Sequence, residues 1–316
     1  MTQNLSVEQR TDRAATILQK CVPLIFRRHY LGNNRKVDVD DLVEASGGKL
    51  DDDAAVSATK KLIDPKYISP VRAVQRRAKK MLRSMALPSY GTFGESSYLV
   101  PNGLARIVND KLNAFADELR VEATKLATVH YRKAIEEQKA KLGPHFKQSD
   151  YVEPRDVIAA FSIEWRFVSF KSPENLETID HALAEEADRK YQAQLSDAYD
   201  EVVTGLRTAA LEIVADLADR LGKDETGKPR VIRSTALDAI REFGEMLPKR
   251  NVGGDDKLAK AIDKLVKRAS GLTAEQLRDD ESLRNGLAAA VDETKKTLAG
   301  LVKSGPRRGI RLPGAA

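Results

Sequence analysis

Apolar positions recur every three or four residues over long stretches of this chain, and breaks marked by Gly and Pro separate the stretches. From Gly103 to Leu142, the positions Ile107 or Val108, Leu112, Phe115, Leu119, Ala123, Leu126 and His130 keep that spacing, and Gly143–Pro144 ends it. From Glu174 to Gly222 the same spacing holds through Leu176, Ile179, Leu183, Ala187, Tyr191, Leu195, Tyr199, Val202, Leu206, Ile213, Leu217 and Leu221. At a 1.5 Å rise per residue these patterns predict helices of roughly 60 and roughly 70 Å. Residues 151–171 lie between them, bounded by prolines, and hold Phe161, Trp165, Phe167 and Phe170. Within that connector IEWRFVSF alternates loosely, which predicts a short strand. Two long helical patterns joined in this way predict an antiparallel coiled-coil arm, with the aromatic segment as its tip. The tip aromatics are then either an exposed anchor for a partner or buried against the C-terminal helices. An arm of this kind is also a surface for self-association.

The pattern around the arm is less regular. Residues 1–12 are polar and read as disordered. Residues 14–30 begin as a helix that Pro23 interrupts, and VPLIF reads as extended. LGNNRK (31–36) is a turn, because Gly and Asn tolerate positive φ. VDVDDLVEASGG (37–48) predicts a short helix capped by Asp38 or Asp40, and Asp51, Asp52 and Asp53 open another. Pro65 and Pro70 break the chain before a helix over 71–86. LPSYGTFGESSYLVP (87–101) reads as a loop or small hairpin. KDETGKPR (223–230) is a linker. Residues 231–303 predict three or four helices, divided at Pro248, Gly253–Gly254 and Gly271, which fold back along the arm as a bundle. Residues 304–316 form a basic flexible tail. The expected fold is mainly α and elongated, with a small mixed region (1–102), the arm (103–222), C-terminal helices (223–303) and the tail.

Charge adds a second pattern. The 316 residues carry a net +6, and residues 1–150 hold 26 basic against 18 acidic side chains. KKLIDPKYISPVRAVQRRAKKMLRS (60–84) alone holds nine Lys and Arg against one acid, Asp64. At 100° per residue, Val71, Val74, Ala78, Met81, Leu82 and Met85 share one arc of the helix, and Arg72, Arg76, Lys79, Lys80 and Arg83 the opposite arc. Three uses fit this face. It neutralises phosphates, with Tyr90, Phe93 and Tyr98 stacking on bases and Arg307, Arg308 and Arg311 of the tail adding charge. It steers an acidic protein partner. Or it pairs with the chain's own acids.

Candidate chemistry is sparse. Four histidines are scattered, and none lies in a His-Glu-x-x-His pattern. Glu177, His181 and Glu185 share one helical face, but a carboxylate di-iron bundle needs Glu-x-x-His on two helices, so a solvated face is the better account. GTFGES (91–96) lacks the Lys-Ser/Thr ending of a phosphate loop and reads as a turn packing aromatics. Asp38, Asp40 and Asp41 lack the glycine and distal Glu of a calcium loop. No catalytic residue, metal site or cofactor is expected. The lone Cys21 allows no intrachain disulfide, no apolar run approaches a membrane span, and the N-terminus lacks a signal-peptide core, which together predict a cytoplasmic protein.

KKLIDPK, the basic helix after it and the Gly-aromatic loop ending in YLVP together resemble the bacterial and phage family called domain of unknown function 3150. The similarity takes in VPLIFRRHYLGNNRKVDVDDL (22–42), Lys61 to Pro65, Val100–Pro101 and the long helices of 103–222. The resemblance implies no established activity and no catalytic residues. It does imply company: a MoxR-type AAA ATPase and a von Willebrand factor A-type protein. The function expected from it is that of a non-enzymatic accessory or adaptor protein in an ATP-driven remodelling system, in a bacterium or its phage-infected cytoplasm. The alternative is nucleic-acid binding through the basic helix, 71–85, and the tail.

Overall fold

The computed structural model describes residues 6–37, 58–87, 96–169, 178 and 180–303. The chain is mainly α, with a small β region, as the periodicity predicts. It divides into two compact units that interleave along the sequence. One comprises Met1–Ile25, Arg83–Ala105 and Phe167–Ala316; the other comprises Phe26–Leu82 and Arg106–Arg166.

The larger unit is built on α6 (His181–Leu221), which α10 (Glu281–Lys303), α1 (Val7–Lys20) and α7 (Ser234–Arg250) pack against. Leu195, Val202, Leu206, Val214, Leu217 and Leu221 of α6 are buried in one cluster with Ile17 of α1, Ile240 of α7 and Val291 of α10. Removing each such side chain from water contributes about 1.5–3 kcal/mol. α8 (Asp256–Ala269) adds Leu258, Ile262 and Leu265, and α9 (Ala274–Asp279) adds Leu277. The stripe read from the sequence is therefore real, but helices of the same unit fill it. The other long helix of the expected arm belongs to the smaller unit, and residues 181–194 are exposed or half-buried. Periodicity reveals a buried face without revealing which helix covers it. The N-terminus also departs from expectation. Ser6 caps α1 with a capping box to Gln9, so helix begins at Val7, inside the stretch read as disordered.

β1 (Cys21–His29) runs from the first unit into the second. Its start pairs antiparallel with β4 (Ser97–Pro101), Cys21 opposite Pro101 and Ile25 opposite Ser97. Thus VPLIF and SYLVP are partner strands. β5 (Ser162–Phe167) lies on the other side of β1.

The smaller unit holds a hairpin of β2 (Asn34–Val37) and β3 (Ala58–Lys61), then α2 (Pro65–Met85). A helical run follows from α3 (Asn102–Lys125) through a π turn (Leu126–His130) into α4 (Tyr131–Leu142), and a short α5 (Pro154–Ala160) precedes β5. The expected helix at 37–48 and the start of the one opened by Asp51, Asp52 and Asp53 lie outside the described residues, apart from Val37, which ends β2; where that second helix would continue, the chain is the strand β3 instead.

Candidate binding face on the basic helix

Asp64 and Pro65 explain where α2 starts. The Asp64 carboxylate accepts from the Lys66 backbone N–H at 3.1 Å, and Pro65 takes the first helical position, where a missing N–H costs nothing. Neither Pro65 nor Pro70 breaks the chain, contrary to the sequence expectation. The helix runs through Pro70 because its apolar face, Ile68, Val71, Val74, Ala78 and Leu82, is buried. That burial outweighs the loss of one hydrogen bond.

Buried polar bonds hold the elements around α2. Asn33 accepts from the Ile63 N–H at 2.8 Å and donates to its carbonyl at 2.9 Å, fixing the approach to the Asp-Pro cap. Gln75, fully buried, donates to the carbonyls of His29 and Ser162. Lys60, also buried, donates to the His145 carbonyl at 2.6 Å and sits 2.7 Å from Asp150. Lys60 is one of the nine cations of 60–84, and its pairing with a residue 90 positions away leaves no local signal.

The cations of α2 fall into two groups. In the first, Lys66 and the Tyr67 hydroxyl both donate to Glu137 at 2.7 Å, Lys141 reaches Asp64 at 3.0 Å, and Arg77 reaches Glu118. The two donors hold the Glu137 carboxyl below its usual range, and the bond to Glu137 pushes the Lys66 ammonium up. Asp64 is held low by the Lys66 N–H and then by Lys141. In the second group, Arg76, Lys80 and Arg83 are exposed and make no ion pair among the described residues. Of the other predicted members, Lys79 and Arg72 are half-buried, and the Arg72 Nε is buried without a hydrogen-bond partner among the described residues. The smaller unit holds 24 basic against 18 acidic side chains, so the chain's whole surplus of +6 lies in it.

Beside this face is a groove of about 390 Å³ between α2 and the α3–π-turn segment. Val71, Val74 and Leu126 line it together with Arg77, Glu118 and His130. Sequence periodicity assigned His130 to the apolar stripe. The π turn adds a residue to the turn, so Tyr131 is buried in its place and His130 is half-exposed, its ring 5.9 Å from that of Tyr67. Nothing in the apolar spacing marks this shift, because Ala127 to Tyr131 is an ordinary step of four.

The aromatic residues of the connector fall on and beside the short strand that the alternation predicts. Residues 162–167 are β5, a strand paired with β1. Phe161 is buried, and Trp165 is half-buried with its indole N–H donating to Asn109 at 3.0 Å. Phe167 is 38% exposed. Tyr98 is part of β4, opposite Leu24. Tyr90, Phe93, Phe170, Glu177 and the tail arginines lie outside the described residues. His181 and Glu185 stand 3.5 Å apart on an exposed face, and no group of His, Cys, Asp and Glu among the described residues has metal-binding geometry. No described helix is long and apolar enough to cross a membrane.

A family model described as Protein of unknown function (DUF3150) matches residues 18–248, most of the chain, and the chain belongs to that family. The match takes in β1, the Asp-Pro cap, α2, β4 and the long helices. No curated protein and no solved structure matches the chain.

Proposed function

We propose that this chain is a non-enzymatic accessory protein that binds an acidic protein partner through the exposed cations of α2. The supporting observation is selective pairing along one helix. Lys66 and Arg77 are matched by acids from neighbouring helices, whereas Arg76 and Lys80 are exposed without an acid among the described residues. A row of one sign accelerates encounter and rejects partners of like charge. The system in which it works is an ATP-driven one, with a MoxR-type AAA ATPase and a von Willebrand factor A-type protein as companions, as the family resemblance implies. The test is co-purification of tagged chain, co-expressed with both companions, from nuclease-treated lysate. Retention by the native chain and loss in Arg76→Glu/Lys80→Glu supports the reading; equal retention by both removes α2 from it.

A second reading has the same face bind nucleic acid, and the concentration of the surplus charge in the smaller unit favours it. It requires binding to single- or double-stranded DNA that falls steeply with salt. Absence of binding at low salt ends it.

A further inference from the structure

We propose that the outer face of the run from α3 through the π turn into α4 pairs antiparallel with the same face of a second copy of the chain. The inference goes beyond the reading of α2 and does not depend on it.

The run buries Leu112, Leu119 and Ala123 on one side. A row of exposed residues follows the opposite side. Two acids belong to its first half, Asp110 and Asp117, and two lysines to its second, Lys125 and Lys133. Ala114, Val121 and Val129 alternate with them and are exposed too, Val121 to 65% and Val129 to 63%. Successive members stand three or four residues apart, the spacing of neighbours on one helix face. From Val121 onward every step is four residues, and each overshoots a turn by about 40°. The π turn falls inside that stretch, and its extra residue takes the drift back, so Val129 and Lys133 stay in the row.

The row is complementary to itself reversed. A two-fold axis at Val121 sets two copies antiparallel and makes every contact reciprocal. Val121 then meets its own counterpart, and Ala114 of one copy meets Val129 of the other. Asp117 meets Lys125, and Asp110 meets Lys133. A parallel pairing would set Asp117 on Asp117 and Lys125 on Lys125, which like-charge repulsion opposes. These charges are available: Asp117, Lys125 and Lys133 make no ion pair among the described residues. Asp110 has Arg106 beside it at 3.3 Å, an exposed pair that holds the carboxylate weakly. The first half of the row repels a polyanion and the second half a polycation. A partner of the same polarity reversed matches both halves, and a second copy is such a partner. Three small apolar side chains per copy make a narrow seam, so charge carries much of the contact and salt should loosen it.

The test is sedimentation velocity of the full chain over a concentration series at low and high salt. The expected result is a monomer–dimer equilibrium that salt shifts towards monomer. Lys125→Asp should weaken the dimer about tenfold or more, and Asp117→Lys/Lys125→Asp, which exchanges the pair, should restore it. Orientation is read from single cysteines under a mild oxidant, the native Cys21 being buried. Val121→Cys should link two copies, because the axis passes there. Ala114→Cys should not, because its two copies stand about 20 Å apart along the helices. All these positions are exposed, so folding is not at stake. A monomer at every concentration overturns the inference. So does a dimer that ignores Lys125→Asp, an exchange that fails to restore it, or linkage by Ala114→Cys in place of Val121→Cys.

Discussion

Arg77 meets Glu118 across the groove beside α2, whereas Arg76, its neighbour in sequence, meets no acid among the described residues. One helix thus carries cations of two kinds, and substitution should separate them. Arg76→Glu/Lys80→Glu should weaken binding to a polyanion about tenfold or more at low salt, with the far-ultraviolet circular dichroism unchanged. Arg77→Ala should change it far less, since its charge is already matched. Elution salt on heparin–agarose reads the difference. Equal shifts for both variants would mean that pairing with Glu118 does not set the face.

Lys60 and Asp150 form an ion pair with little water around it, the side chains being 7% and 19% exposed. Removing one partner leaves a buried charge alone. Lys60→Met should cost about 3–5 kcal/mol of stability, and Lys60→Met/Asp150→Leu distinctly less. Urea unfolding of the three proteins measures this. A double variant no better than the single would place the cost in the lost bond to the His145 carbonyl.

The Arg284 guanidinium donates to the carbonyls of Leu221, Arg220, Gly222 and Arg230, at 3.0, 3.2, 3.1 and 2.9 Å. These include the last carbonyls of α6, which have no partner within the helix. Arg284→Met should destabilise by about 2–4 kcal/mol, and Arg284→Lys should restore little, because an ammonium lacks the planar fork. Thermal unfolding followed at 222 nm gives the ranking.

Cys21 is buried, and burial pushes its thiol up to about 12, against a smaller opposite pull from Lys20. The unfolded thiol ionises near its ordinary value of 9.0. Stability should therefore fall as pH rises from that value towards about 12, and Cys21→Ala should flatten this alkaline limb. At pH 8 an aromatic disulfide reagent should label the protein in urea and not in buffer. Prompt labelling of the native chain would contradict the burial.

What the sequence disclosed and what it withheld follow from the range of each signal. Helix spacing is local, so the runs at 103–142 and 181–221 were readable, and so was the amphipathic α2. The short strand at 162–167 was readable from alternation. The companions of each face were not. Leu206 announces a buried position, but only the fold shows that helices of its own unit cover it. The pairing of VPLIF with SYLVP links segments some 75 residues apart, and Lys60 with Asp150 reaches further. Exposure of Arg76 and pairing of Arg77 differ only through Glu118, which no reading of 60–84 contains.

The interleaving of the two units sets an order of assembly during synthesis. Every residue of the smaller unit lies between Phe26 and Arg166. It can close while the ribosome is still making α6 to α10. The larger unit cannot, because α1 precedes its packing partner α6 by some 160 residues. α1 must wait, its apolar face uncovered, until α6 arrives to receive it.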